Sequence, residues 1–346
     1  MPKKPKQKDG AQNQHYVPKF MLRNFLSNAD KEQVTVFDKE TSKSFQTNIR
    51  GIMAERRFNE FVIDQQWLAS FEPAICNIED VVLPAYRRVV ENRRLDMTDE
   101  ERAYLSYLIA FQLVRTKAQR DTFTQMDNMI RDKWGGIEQL DDELAEMDSL
   151  GMLKIRHADL IKKSLKDFTG LIASKDLLLM EAPKHRSFYL GDNPVAMHND
   201  EQADPFFGKI GLDIRGIKIY LPLAKDLILC AWCPSIIEKY RAETEKTLAQ
   251  HRSAQQGKMM RGEITSEELR LFNEWMNDPA KSTTHLINSF DNGTPLLLGD
   301  ELMDFHNRLQ LCSSVRHVIC PQGDFKLAQR FMTDNPGHKG RQIRTS

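Results

Sequence analysis

Long apolar runs are missing from this sequence. No stretch approaches the roughly 18–20 apolar residues that a membrane-spanning helix needs, so no membrane partner is expected. A surplus of either charge is missing too: 49 Lys and Arg stand against 49 Asp and Glu, a formal net charge of +0. A protein that coats nucleic acid is basic overall, so wholesale coating is excluded while a local basic groove is not. Cysteine is scarce, at 5 of 346 residues. Cys76, Cys230, Cys233, Cys312 and Cys320 are odd in number and fit free thiols better than a disulfide framework. The opening segment, Met1 to Lys8, is basic and lacks the apolar core of a secretory signal, which places the chain in the cytoplasm as an expectation. Equally absent are a Gly-rich phosphate loop, a dinucleotide fingerprint, a Gly-x-Ser-x-Gly elbow and a His-Glu-x-x-His pair.

One metal-like spacing is present. Cys230-Ala231-Trp232-Cys233 is Cys-x-x-Cys, and Cys312, Cys320, His306 or His317 would have to complete a zinc site. The pair closes an apolar strand-like run from Leu227, where alternate residues face opposite sides, so it is read as buried thiols and no metal site is assigned.

A chain of 346 residues is one large or two modest domains by size. Residues 1–12 are rich in Lys, Gln and Pro and are expected to be a disordered leader. Order begins at Gln14-His15-Tyr16-Val17-Pro18, after which Phe20, Met21, Leu22 and Phe25 form a helical stripe to about Leu26. Val34–Phe37 and Ser44–Thr47 alternate around a polar turn and predict a β-hairpin. A short helix is expected over 49–58 and a long one over 64–92, broken or kinked near Pro73 and Pro84. Thr98 and Glu101 form a capping box that opens a second long helix, to about Trp134, where Gly135-Gly136 stops it. Further helix is expected over about 137–148 and 157–173. Beyond Lys175 short apolar runs separated by Pro, Gly and Asn predict strands, with helices returning from about 234 and a last strand at 316–319. The expected fold class is α+β: a helical first half with a β-hairpin, then a small, mostly antiparallel sheet with helices. One domain would span 13–330, helical to about 174 and sheet-containing thereafter, with a loose basic tail over 331–346.

Five groups of residues could carry chemistry. His15 stands at a helix start with a ring that titrates near neutrality, and Arg23, about two turns on, could point the same way. The structural alternative is a His that packs or caps the helix. Gln112 and Arg115 lie in an apolar helix stretch and must find partners there. Arg115 either pairs with a carboxylate such as Glu79 or is held by it and aimed at an anion. Glu72 and Glu79 share a helix face, beside Asp80. Gly191-Asp192-Asn193-Pro194 ends a strand in a rigid polar turn, which is either a site or an ordinary Asx turn. Arg87, Arg88, Arg93, Arg94, Lys117 and Arg120 could line a face for a polyanion or simply be solvated.

In this order the motifs resemble an uncharacterised, mainly bacterial family, domain of unknown function 4238. The resemblance rests on His15 to Phe25, the Val34–Lys39 hairpin, the Glu-bearing helix at Phe71 to Asp80, the Phe111-Gln112-x-x-Arg115-Thr116 stretch, Leu190 to Val195 and Leu221-Pro222-Leu223, from about 14 to 320. It leads one to expect Ser or Thr where Gly191 stands. The family implies no activity. The residues themselves suggest a hydrolase for a phosphate-bearing substrate such as a nucleic acid or nucleotide, a nuclease in a toxin or defence setting. His15, Glu79 and Asp192 would be catalytic, and Arg23, Gln112, Arg115 and Asn193 would bind substrate, with Glu79 and Asp192 the groups to hold a divalent metal ion if one is used. These residues should then line one cleft. The alternative is a non-catalytic binding or regulatory protein with a structural polar core.

Overall fold

The computed structural model describes residues 13–63, 67–122, 125, 149–200, 210–276 and 282–340. The expected leader, the Gly135-Gly136 stop and the helix over 137–148 lie outside them.

The ordered chain opens with β1 (Asn13–His15) paired antiparallel to β4 (Ala54–Arg56), His15 opposite Ala54. Pro18 caps α1 (Lys19–Leu22), which tightens into a 3₁₀ turn over Arg23–Phe25. Met21, Leu22 and Phe25 of the predicted stripe are wholly buried. The hairpin forms as read: β2 (Gln33–Asp38) pairs with β3 (Lys43–Asn48), Val36 opposite Phe45.

Two expectations fail between 49 and 70. No helix forms over 49–58. Ile49, Ile52 and Met53 are buried from a turn instead, and Met53 and Arg57 adopt positive φ, which a helix cannot contain. The helix expected from 64 begins later, because β5 (Glu60–Ile63) and β6 (Trp67–Ser70) pair antiparallel first. Short apolar runs fit either period, and pairing with a neighbouring strand decided this one. Strands therefore precede the first long helix, and the first half is not simply helical.

Helix α2 (Glu72–Asn92) carries Pro73 in its first turn, where a missing N–H costs nothing, and runs without interruption past Pro84. Val82, Ala85, Tyr86 and Val89 are buried around that proline and hold the helix in register. α3 (Asp99–Val114) has the predicted capping box complete: Glu101 N–H donates to Thr98 Oγ1 at 3.2 Å and Thr98 N–H to Glu101 Oε2 at 2.8 Å. It stops at Val114, well short of the expected Trp134, and helix resumes over 117–122. α4 (Ser149–Ala173) packs against α3.

The second half supplies β7 (Asp176–Glu181), β8 (Leu190–Gly191), β9 (Ala196–Asn199), β10 (Ile217–Ala224) and β11 (Leu227–Trp232). After them come α5 (Pro234–Met260), α6 (Ser266–Met276), α7 (Ser282–Asn292), β12 (Leu296–Leu297), α8 (Asp300–Ser313), β13 (His317–Ile319) and α9 (Lys326–Asp334). The fold is α+β. A five-stranded sheet runs β12-β7-β11-β10-β9, antiparallel except for β12 on β7. Its faces divide two cores. Leu227, Leu229 and Ala231 of β11 face the core that also holds residues of α2, α3 and α4, while Ile228, Cys230 and Trp232 face a second core with Ile236, Ile237 and Met303. With both faces covered, β11 is apolar at every position rather than alternating. A four-stranded sheet, β3-β2-β13-β8, ties the N-terminal hairpin to the end of the chain. The tail expected to be loose from 331 begins inside α9, where Phe331 and Met332 are buried. Among the described residues no helix is long and apolar enough to cross a membrane.

Candidate functional site

The interruption of α3 is where the predicted residues meet. Arg115 is its C-cap, and only 2% of the residue is exposed. Its Nη1 donates to Glu79 Oε1 at 2.6 Å, its Nη2 donates to the His15 carbonyl at 2.7 Å, and its guanidinium lies 4.5 Å from the Phe111 ring centroid. One turn earlier Gln112 Nε2 donates to the Tyr16 carbonyl at 2.8 Å. One residue later Thr116 Oγ1 donates to Asn193 Oδ1 at 2.9 Å, and Asn193 Nδ2 donates to the Ser313 carbonyl at 3.2 Å. The end of α3 thus grips β1 on one side and the Asp-Asn-Pro turn on the other.

His15 donates from Nε2 to the Ile49 carbonyl at 2.8 Å. A carbonyl only accepts, so this bond fixes the tautomer and leaves Nδ1 unprotonated. Burial holds the ring below its ordinary value of 6.5, against that hydrogen bond. Asp192 accepts the backbone N–H groups of Val315 at 2.7 Å, Arg316 at 2.8 Å and His317 at 2.9 Å, while its own N–H donates to the His317 carbonyl at 3.0 Å. It is the clasp between β8 and β13. Gly191 stands where the resemblance led one to expect Ser or Thr. A Cβ there would lie 3.0 Å from Ser314 Cβ and 3.3 Å from the Gln310 carbonyl, so a side chain would have to press the end of α8 back by a few tenths of an ångström.

His15 is the last residue of β1 and Tyr16 lies in the bend that follows. The charges that act on His15 are Lys19, Arg115 and Glu79, whereas those on Tyr16 are Asp192, Glu55, Asp121 and Arg316. None of His15, Glu79, Gln112, Arg115 or Asp192 lines the clefts of about 590, 530, 370 and 190 Å³. Arg23 stands apart from the network. It is exposed and pairs with Glu32 at 3.1 Å, because α1 gives way to a 3₁₀ turn at that residue.

Local sequence does not show the partners of Arg120. Its Nη1 donates to the Phe58 carbonyl at 2.8 Å, its Nε donates to His157 Nδ1 at 3.3 Å, and its guanidinium lies 3.5 Å from the Phe58 ring centroid. His157 is buried, its Nε2 donating to the Val114 carbonyl at 2.6 Å, and burial pushes it down to about 4. Beside Tyr16, Asp121 is raised by burial, with Glu55 and Asp192 adding to the shift and Lys117 and Arg120 opposing it. Among the described residues no group of three or more His, Cys, Asp and Glu is gathered to hold a metal ion.

Residues 13–319 match the family described as a protein of unknown function, DUF4238. The chain belongs to that family. The matched span opens at the first residue of β1 and closes at the last of β13. Comparison with curated proteins and with solved structures gave no match. In this member of DUF4238 the Gln112, Arg115 and Thr116 positions hold the two ends of the fold together through β1 and the Asp192-Asn193 turn.

Proposed function

We propose that this chain is a non-catalytic binding protein whose polar cluster is a structural clamp. One observation carries the reading: the functional groups expected to do chemistry are committed to the backbone. Asp192 accepts three main-chain N–H groups, Arg115 divides between Glu79 and a carbonyl, and Gln112 donates to a carbonyl. A carboxylate whose oxygens already accept from three main-chain N–H groups is taken up by the backbone, and an arginine held at both ends of its fork is not available to an anion.

A second reading keeps the hydrolase for a phosphate-bearing substrate, and a different observation favours it. Asp121, raised by burial, neighbours Tyr16, whose hydroxyl has no hydrogen-bond partner among the described residues. A carboxyl raised above its ordinary range by burial is better suited to general acid catalysis than a free one, and Lys117 and Arg316 stand near it and near Tyr16 respectively. One experiment separates the two: turnover of phosphomonoester and phosphodiester reporters by wild type, Asp121→Asn and Tyr16→Phe, with melting temperatures alongside. The binding reading expects no turnover above blank in any of the three. Hydrolysis by wild type that falls about 10²-fold or more in Asp121→Asn at unchanged melting temperature would replace it with the hydrolase.

A further inference from the structure

A cleft of about 530 Å³ opens between α2, α3 and α4. Phe71, Ile75, Ile78, Tyr107, Ile161 and Leu165 line it, and Phe71 is exposed at 36%. Such a volume, with apolar walls and few polar groups, is the usual build of a small-molecule site. Its polar groups include Arg120 and His157.

Arg120 is the informative member. It is 8% exposed and carries a full charge, yet among the described residues no carboxylate lies within ion-pair distance. Its contacts are neutral: the Phe58 carbonyl, Nδ1 of His157 and the face of Phe58. His157 cannot be the counter-charge, since it is neutral and accepts from the guanidinium. A buried charge whose carboxylates, Glu55 and Asp121, act only from beyond ion-pair distance is costly, and burial lowers Arg120 to about 10 against their pull. A guanidinium has five N–H groups, so some remain for a further acceptor. At the cleft lining Lys154, which donates to the Arg57 and Glu60 carbonyls, and the exposed Lys162 add two further cations, while Asp159 disfavours a dianion.

We propose that this cleft binds a small amphiphilic carboxylate, its apolar body lying between α2, α3 and α4 and its carboxylate supplying the missing counter-charge of Arg120. The proposal rests on the binding reading and names its ligand class.

The test is calorimetric titration of the full chain with decanoate, decanol and decyl phosphate, in wild type, Ala74→Trp and Arg120→Gln. Ala74 is an exposed cleft residue, so Ala74→Trp puts its bulk in the cleft and leaves the charge of Arg120 in place. Decanoate should bind wild type, decanol at least about tenfold more weakly, and decyl phosphate more weakly than decanoate. Ala74→Trp should abolish decanoate binding at an unchanged melting temperature. Arg120→Gln, if it folds, should bind decanoate no better than decanol. Equal binding of decanoate and decanol, preference for decyl phosphate, undiminished binding by Ala74→Trp, or no binding at all would each overturn the proposal. None of these outcomes bears on whether phosphate esters are hydrolysed, which alone decides against the binding reading.

Discussion

At the scale of the residue, the clamp makes its prediction at Arg115. Its guanidinium is almost fully buried while the Glu79 side chain keeps 26% exposure, so Arg115→Ala leaves a carboxylate that water can partly reach and a carbonyl that it cannot. Stability should fall by about 2–4 kcal/mol in urea unfolding, somewhat below a fully enclosed pair. Arg115→Lys keeps the charge but not the fork, and should recover only part of that loss. Asp192→Ala strands three N–H groups and should cost about 3 kcal/mol or more. Gly191→Ser is the subtler change, since its Cβ would press on Ser314 and Gln310. It should cost about 1–3 kcal/mol by overpacking, read in the same assay. Losses below about 0.5 kcal/mol at both Arg115 and Asp192 would remove the clamp.

At the scale of the element, α3 is begun by local sequence and ended by distant contacts. Thr98 and Glu101 satisfy each other's backbone donors, and Thr98→Ala should cost about 1 kcal/mol, measured as a shift in the urea midpoint at constant slope. Nothing so local stops the helix at Val114. The Val114 carbonyl, freed at the helix end, accepts from His157 in α4, and Thr116 turns its hydroxyl to Asn193. The apolar spacing of the segment continues through the break, which is why a helix to Trp134 was expected from sequence. Pro84 misleads in the opposite direction. It removes one backbone hydrogen bond, but the side chains buried around it hold α2 continuous.

For the whole molecule, acid is the informative stress. His157 and His306 are both buried and both pushed from 6.5 down to about 4, in each case by burial first. A histidine whose folded value lies below its unfolded one binds fewer protons when folded. Stability is therefore complete above pH 6.5 and falls as the pH drops from 6.5 through about 4. Each site should contribute a loss of about 3 kcal/mol across that window. His306 is the cleaner probe, because among the described residues its Nδ1 has no hydrogen-bond partner and Phe188, Tyr220 and Phe305 surround its ring. His306→Phe should flatten the acid limb of the stability curve and leave stability at pH 7.5 unchanged or raised. An acid limb as steep as that of wild type would show that His306 is not buried as neutral imidazole.

The sequence by itself determined the α+β class, the hairpin, the capped start of α3, the burial of the α1 stripe and the family. Each of these depends on residues a few positions apart, where period and capping chemistry act directly. It also marked Gln112 and Arg115 as polar groups that must find partners, because burying them alone is costly. It named Glu79 as a carboxylate for Arg115, which the structure pairs with it, and only the tertiary structure decided the other partners. Asp192 meets the backbone of 315–317, Arg120 meets His157, and different charges act on His15 and on Tyr16. Those pairings join positions far apart in the chain, and the spacing of residues along it carries no record of such distances.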